Sequence, residues 1–265
     1  MKTLSYLFAI AIALILLGGC GLISKKYTKS ASNEFDLNSV GKTKIRLENI
    51  TGDITISKSS DSNSLKIKAY METKVKKKFL DTPFDEIKIN IDTNTNEIVV
   101  KTVFNDKGRD GLFKFGNSEK VDYNIYLPEN LKVDINNING DIFAGNIGNN
   151  VVIENINGNA DFKSFHGKLE CDLTNGSVTG EIDSTKGMNI NLVNGNITLK
   201  LSNYLNASIQ AETLNGRITD ENLELSDIIK DKKKLKAKIG TVDSEIEIKL
   251  ETVNGKIKLF GFKAI

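Results

Sequence analysis

The chain has 265 residues, with 36 basic and 34 acidic side chains, one histidine, two cysteines and no tryptophan. A net charge of +2 creates no strong field that would select nucleic acid. So few cysteines and histidines exclude a disulfide-stapled scaffold, a structural zinc site and a Cys-His catalytic pair. The 21 glycines, two prolines and many isoleucines instead indicate β-strands joined by turns.

The N-terminus resembles a bacterial lipoprotein signal peptide. Lys2 forms a short basic region, residues 4–17 are apolar, and Leu17-Gly18-Gly19-Cys20 resembles a lipobox. The apolar run is shorter than the ~20 residues that a membrane-spanning helix requires. We therefore expect residues 1–19 to be removed and Cys20 to be acylated, because two acyl chains anchor a protein stably. An ordinary secretory signal with an incidental cysteine is the alternative.

Residues 20–41 are polar and rich in serine and lysine, and they predict a flexible tether between the lipid and a folded domain. Lys25, Lys26 and Lys29 lie close enough to the anchor to reach anionic headgroups. The expected location is the exported side of a bacterial membrane, in the cell envelope.

Internal repetition dominates the second half of the chain. An Asn-Gly pair recurs after 18, 18, 19, 21 and 39 residues, and an aliphatic residue follows each glycine by two positions. Another aliphatic residue precedes every asparagine except Asn175, which follows Thr174. The pairs are Asn139-Gly140, Asn157-Gly158, Asn175-Gly176, Asn194-Gly195, Asn215-Gly216 and Asn254-Gly255. We assign these residues a structural role as repeat turns.

Two architectures fit this repeat. In an antiparallel β meander, each Asn-Gly pair would form a type I′ hairpin turn. In a β-solenoid, similar to a parallel β-helix or β-roll, each unit of 18–21 residues is one coil and equivalent residues lie about 4.8 Å apart. Only the solenoid requires the same turn chemistry in every coil, because stacked asparagines hydrogen-bond along their column. We therefore predict an all-β solenoid, with the meander as the alternative.

We expect residues 42–265 to form one β-repeat domain. Residues 42–127 alternate without the regular period and are expected to cap the N-terminal end of the repeats in 128–265, since an open end would expose apolar side chains and unpaired backbone. The highly charged residues 220–238 interrupt the repeat and are expected to form a loop or short helix. Residues 241–246 then resemble 252–257, so the repeat resumes.

Residues 121–142 resemble the centre of the bacterial DUF4097 "putative adhesin" family. They contain an aliphatic-Pro pair at Leu127-Pro128, a turn at Glu129-Asn130 and the sequence Gly140-Asp141-Ile142, which Gly52-Asp53-Ile54 matches earlier in the chain. The resemblance covers residues 42–262. It implies a β-helical or β-roll repeat domain on the outer side of a bacterial membrane, and it brings no catalytic motif.

The residues predict a binding protein and no enzyme, cofactor or metal site. We expect an adhesin-like surface for glycan, wall polymer or an envelope protein, and the alternative is an envelope-stress accessory protein that acts with a membrane sensor. A glycan-cleaving enzyme would need clustered carboxylates, for which Asp141, Asp161, Asp172 and Asp183 are the candidates. Lys74, Lys76, Lys77 and Lys78 predict a solvated loop, with contact to anionic polymer or lipid as the alternative.

Overall fold

The computed structural model describes residues 26–104, 119–240 and 244–263. These residues form an all-β fold with one 3-10 turn, Lys77–Phe79. None of the described segments contains a helix long and apolar enough to cross a membrane. Cys20 and the other lipobox residues lie outside the described residues, as do 241–243 of the resumed repeat.

Two sheets, called sheet A and sheet B below, contain all the described strands. The strands before the Asn-Gly repeats are β1 (Lys26–Asn38), β2 (Lys44–Glu48), β3 (Ile54–Lys58), β4 (Ser64–Lys76), β5 (Ile87–Asp92), β6 (Glu97–Phe104) and β7 (Lys120–Leu127). The strands of the first repeats are β8 (Lys132–Asn139), β9 (Ile142–Ile147), β10 (Val151–Asn157), β11 (Ala160–Phe165), β12 (Leu169–Asn175), β13 (Val178–Ile182), β14 (Met188–Asn194) and β15 (Ile197–Ser202). The remaining strands are β16 (Ala207–Asn215), β17 (Ile218–Glu221), β18 (Leu225–Lys230), β19 (Lys234–Ile239), β20 (Glu247–Asn254) and β21 (Ile257–Phe262).

The chain alternates between the sheets at each Asn-Gly pair. Sheet A has the strand order β1-β4-β7-β3-β9-β11-β13-β15-β21-β17, and sheet B has the order β18-β19-β16-β20-β14-β12-β10-β8-β2-β6-β5. From β8 to β13, each strand pairs in parallel with the strand two places later in the chain. The antiparallel meander is therefore wrong for this segment, because neighbouring strands run in the same direction and belong to different repeats. Both sheets also contain antiparallel pairs near their ends.

The alternation of apolar and polar residues places one face of each strand in the core. In β10, Val151 and Ile153 are buried while Val152 and Glu154 face outward, as a period of two requires. The inward residues of both sheets form one hydrophobic cluster. Equivalent core residues lie in register, so that Ile135, Ile153, Cys171 and Ile190 are successive neighbours. The outer face of sheet B is thus a set of residue columns that run across the strands.

The N-terminal strands differ in part from the sequence expectation. Strands β5 and β6 end sheet B, and β1, β4 and β7 end sheet A, while β2 and β3 pair in parallel with the first repeat strands. Residues 26–38 form β1, which pairs with β4 over its whole length, so the prediction of a flexible tether is wrong for them. An edge strand is covered on one side only, and its polar composition therefore resembles that of a tether.

The C-terminal strands also depart from a simple succession. Strands β20 and β21 enter between the β14–β15 and β16–β17 repeats, so the last Asn-Gly pair lies between two earlier ones. The charged segment expected to be a loop or short helix contains β18 and β19, which pair antiparallel and end sheet B. Strand β18 shows no alternation of buried and exposed residues. It is the outermost strand of sheet B and covers little of the core.

Candidate functional site

The asparagines of the six Asn-Gly pairs are the last residues of six neighbouring strands of sheet B, where they form one continuous column. Each side chain except the first donates from Nδ2 to Oδ1 of its neighbour over 2.8–3.0 Å, in the order Asn139, Asn157, Asn175, Asn194, Asn254 and Asn215. An amide can donate and accept at the same time, so a column of asparagines satisfies itself. These side chains are occupied with one another, and they fix the register of the surface beside them.

The glycines of these pairs permit close contact between repeats. Gly158 has φ 139°, and a Cβ atom built on it would lie 2.0 Å from the carbonyl oxygen of Gly140. Gly140 makes the same approach to Gly52, which belongs to the early Gly-Asp-Ile copy. Only glycine fits such positions, since any side chain would meet the backbone of the next repeat.

An exposed aliphatic column runs beside the asparagines on the outer face of sheet B. It consists of the residues that precede them, and its large hydrophobic members are 39–60 % exposed: Ile138, Ile156, Val193, Val253 and Leu214. The register of the flanking residues places these side chains in successive repeats, with Thr174 between Ile156 and Val193 and with Ile50 at the N-terminal end. Contiguous exposed apolar surface of this kind marks interaction sites in proteins.

A second, acidic column lies two residues earlier on the same strands. The strand register aligns Glu48, Asn136, Glu154, Asp172, Asn191, Glu251 and Glu212. Two residues along a strand span about 7 Å, so this column lies directly beside the aliphatic one. Both columns line a groove of about 960 Å³.

The charges of the acidic column are neutralised at its two ends. Lys101 pairs with Glu48 at 2.7 Å, and Lys234 pairs with Glu212 at 2.9 Å. The hydrogen bond with Glu212 raises the pKa of Lys234. Between these ends, Glu154, Asp172 and Glu251 have no lysine or arginine partner among the described residues, and Asp172 accepts only a hydrogen bond from Asn191 Nδ2 at 2.8 Å. The middle of the groove is therefore negatively charged.

The floor of the groove includes two buried amides. Asn155 donates to the Gly140 carbonyl oxygen at 2.9 Å and Asn137 donates to that of Gly52 at 3.4 Å. The Oδ1 atoms of both side chains have no hydrogen-bond partner among the described residues.

The four aspartates considered for catalysis do not meet. Asp161 accepts from Thr179 on the outer face of sheet A, whereas Asp172 lies in the groove of sheet B. Asp141 bonds the Asn159 backbone in a turn, and Asp183 lies 3.6 Å from His166. The described residues hold no group of three or more His, Cys, Asp or Glu side chains that could bind a metal ion. Cys171 is buried, and this burial raises the pKa of its thiol.

The sequence indicated the turns but did not identify the groove. The aliphatic residues before each asparagine were evident as part of the repeat, yet their exposure was not predicted. The alternation contained that signal: Val151, Ile153 and Asn155 face inward, so Ile156 must face outward. The acidic column could be found only after the repeats had been aligned, because its members lie 18 or more residues apart.

Comparison with known proteins supports the fold. No family model and no curated protein matches the sequence. A crystal structure of a "putative cell adhesion protein" from Clostridium sporogenes matches with a TM-score of 0.52 at 16 % identity, over 88 % of this chain and 100 % of that chain. Structures named "putative adhesin" from Bacteroides fragilis and Parabacteroides distasonis match with TM-scores of 0.42 and 0.33 at 14 % and 12 % identity, each over 88 % of this chain and 97 % of theirs. At 16 % identity, the likeness to the Clostridium sporogenes structure shows the fold alone.

Proposed function

We propose that this protein is a non-catalytic lipoprotein of the bacterial cell envelope, acylated at Cys20 and built as a β-solenoid that presents a binding groove. The lipobox supports the anchor, and the in-register parallel pairing of the repeats supports the solenoid. The groove on sheet B is the binding surface. The observation that carries this proposal is the exposed column of aliphatic residues, interrupted only by Thr174, beside an acidic one.

The chemistry of the groove favours a polypeptide over a glycan. Sugar rings pack against aromatic faces, and no aromatic side chain is among the described residues that line the groove. The aliphatic column instead suits the apolar face of a protein segment. The unpaired carboxylates beside it suit lysine or arginine side chains on that segment.

The spacing of the columns favours a helical segment. Seven rungs at about 4.8 Å extend over about 29 Å. An α-helix laid along the column presents one apolar position per turn of 5.4 Å, close to the rung spacing, whereas an extended strand presents side chains on one face every 6.6–6.8 Å. We therefore infer that the partner is a cationic amphipathic helix of about 19 residues, bound by the helix-in-groove mode.

The charges give this partner a physical advantage. Glu154 and Asp172 are direct neighbours in the strand register, and like charges at that spacing destabilise a sheet. Cationic side chains over the column would neutralise this repulsion and raise the association rate. Binding should therefore weaken with rising salt.

The groove can be tested with a defined probe. A fluorescent 19-residue helix of leucine on one face and lysine on the other should bind a chain of residues 21–265, which contains every described strand. Replacement of Ile138, Ile156 and Val193 by serine should raise Kd at least about tenfold, because each removes exposed apolar contact area. The control replaces Ile228 and Ile229 by serine. Both residues are exposed on the β18–β19 hairpin, outside the groove, so Kd should remain unchanged.

The charge contribution has its own control pair. Glu154→Gln with Glu251→Gln should weaken binding, whereas Glu221→Gln with Glu245→Gln removes the same charge from exposed positions outside the groove. Equal losses in the two pairs would mean that the peptide responds to net charge only, which contradicts a groove-specific site. A peptide with glutamate in place of lysine should not bind.

A helical protein partner is also compatible with the alternative role, that of an envelope-stress accessory protein. The juxtamembrane segment of a membrane sensor can supply basic and apolar residues in the required pattern. Cross-linking from a photoreactive residue at position 156 in intact cells would distinguish the two roles by the partner it captures. Anchoring is tested separately by incorporation of an alkyne-labelled fatty acid, which Cys20→Ser should abolish.

A further inference from the structure

The start of the described chain lies beside a cluster of lysines. Strands β1 and β4 pair antiparallel so that Lys26 is opposite Lys76 and Thr28 is opposite Lys74. The 3-10 turn that follows β4 adds Lys77 and Lys78. Residues distant in sequence thus meet at the point from which the chain leads back to Cys20.

These five lysines, called the lysine foot below, are all exposed: Lys26, Lys74, Lys76, Lys77 and Lys78. None of them forms an ion pair with another described residue, whereas Lys29 is buried and pairs with Glu86 at 3.0 Å. Phe79 follows the cluster with 44 % of its surface exposed, and Lys78 Nζ lies 4.7 Å from its ring centroid. Exposed lysines beside an aromatic ring form a surface that fits a lipid headgroup layer.

The acidic groups nearby do not cancel this charge. Glu86 is held by Lys29, and Glu119 accepts a hydrogen bond from Thr73 at 3.3 Å. Glu72 lies opposite Ser30 and Lys120 in the strand register. Asp81 and Asp85 follow in the next loop, so the five lysines outnumber the two nearby aspartates.

We propose that the lysine foot binds the anionic headgroups of the membrane in which Cys20 is anchored. This inference rests on the proposed lipid anchor, because acylation of Cys20 would place the lysine foot next to the bilayer. Lys26 lies six positions after Cys20, a reach of at most about 20 Å, so the foot remains close to the bilayer. The groove then extends away from the membrane, with Leu214 and the hairpin at its outer end.

Binding to vesicles tests this proposal without the lipid. The probe is a chain of residues 21–265 with vesicles of phosphatidylcholine alone or with 30 % phosphatidylglycerol, measured by co-sedimentation. We expect binding to the anionic vesicles only, and its loss in 1 M salt, where the Debye length falls to about 3 Å. Replacement of Lys74, Lys76, Lys77 and Lys78 by glutamine should reduce partitioning by about 600-fold, since each lysine contributes about fivefold.

A matched control has the same net charge as the variant of the lysine foot. Glutamine at Lys163, Lys236, Lys256 and Lys258 removes four exposed lysines elsewhere and should change partitioning less than about threefold. An equal loss in both variants, or no preference of the unaltered chain for anionic vesicles, would overturn the proposal. Binding of soluble polyphosphate through the foot without vesicle binding would also overturn it and assign the lysines to a phosphate polymer. Because this chain lacks Cys20, a failure of fatty-acid labelling would refute the anchor and leave this measurement unaffected.

Discussion

At the scale of single residues, the repeat is explained by two requirements that act at the same turn. Asparagine supplies one donor and one acceptor to its neighbours in the ladder, and glycine allows the next backbone to approach. Substitution of the two residues should therefore have different consequences. The glycine matters through strain and steric overlap, and the asparagine matters through hydrogen bonds.

Gly158→Ala should destabilise the fold by about 2–5 kcal/mol, since it combines an unfavourable positive φ with a clash against the Gly140 carbonyl. Gly148→Ala is the control, because a Cβ there meets no atom within 4 Å and φ is not positive. Its effect should remain within about 1 kcal/mol. Urea denaturation of both variants measures the difference, and similar midpoints would contradict the close approach.

A buried polar chain joins the N-terminal strands to the first turn. Tyr123 Oη lies 2.8 Å from Thr102 Oγ1, which donates to Asn49 Oδ1 at 2.9 Å, and Asn49 donates to the Val121 carbonyl oxygen. Burial raises the pKa of Tyr123 from its ordinary value of 10.0 to about 12, with the Thr102 hydrogen bond acting in the opposite direction. The fold therefore holds the neutral phenol.

This shift predicts a loss of stability in alkali. The unfolded chain loses the Tyr123 proton above about pH 10 and the folded chain only near pH 12, so stability is retained below pH 10 and falls by about 2 kcal/mol as pH rises to 12. Tyr123→Phe should lose about 1 kcal/mol at pH 7 and show a shallower decline from pH 10 to 12. Denaturation at several pH values measures the free energy of unfolding of both chains. An equally steep decline of this free energy with pH in the two chains would contradict the assignment to Tyr123.

At the scale of strands, the sequence predicted the type of structure better than the order of its parts. The alternation and the recurring Asn-Gly pairs were sufficient to predict β-strands and turns. They did not predict that β20 and β21 enter between two earlier repeats. Every repeat has the same turn chemistry, so the ladder accepts Asn254 beside Asn194 as readily as it would accept Asn215.

The prediction of a loop or short helix for the charged residues 220–238 was wrong for a related reason. Its lysines form the turn and the exposed faces of β18 and β19, and a hairpin at the end of a sheet has too little core contact to impose alternation on both strands. Charge density therefore resembled that of a loop. Likewise, the groove could be identified only from the three-dimensional alignment of the repeats.

The insertion of the last repeat has a consequence for truncation. A chain that ends at residue 246 lacks β20 and β21, which are interior strands that pair with β14, β15, β16 and β17. Loss of both should expose the core on two sides and abolish cooperative unfolding in calorimetry. A chain that ends at residue 262 keeps every strand and should unfold like the complete one. Retention of a sharp transition by the shorter chain would contradict the strand order.

At the scale of the whole molecule, one register relation accounts for both the stability and the proposed binding surface. The same alignment that stacks the asparagines also brings the aliphatic and acidic columns together, although neither column is continuous in sequence. A local change in register would divide the groove. The proposed partner site depends on this register, whereas the lysine foot depends on the pairing of β1 with β4.

The most direct test of that geometry is the order of rungs along the acidic column. Nitroxide labels at Glu48→Cys with Glu212→Cys, and at Glu48→Cys with Glu251→Cys, can be compared by pulsed electron resonance in a chain of residues 21–265, where the remaining Cys171 is buried. The register predicts backbone separations of about 29 Å for the first pair and about 24 Å for the second. A longer distance for the pair that includes position 251 would contradict the continuous groove. A broad distribution of distances in both pairs would also contradict it.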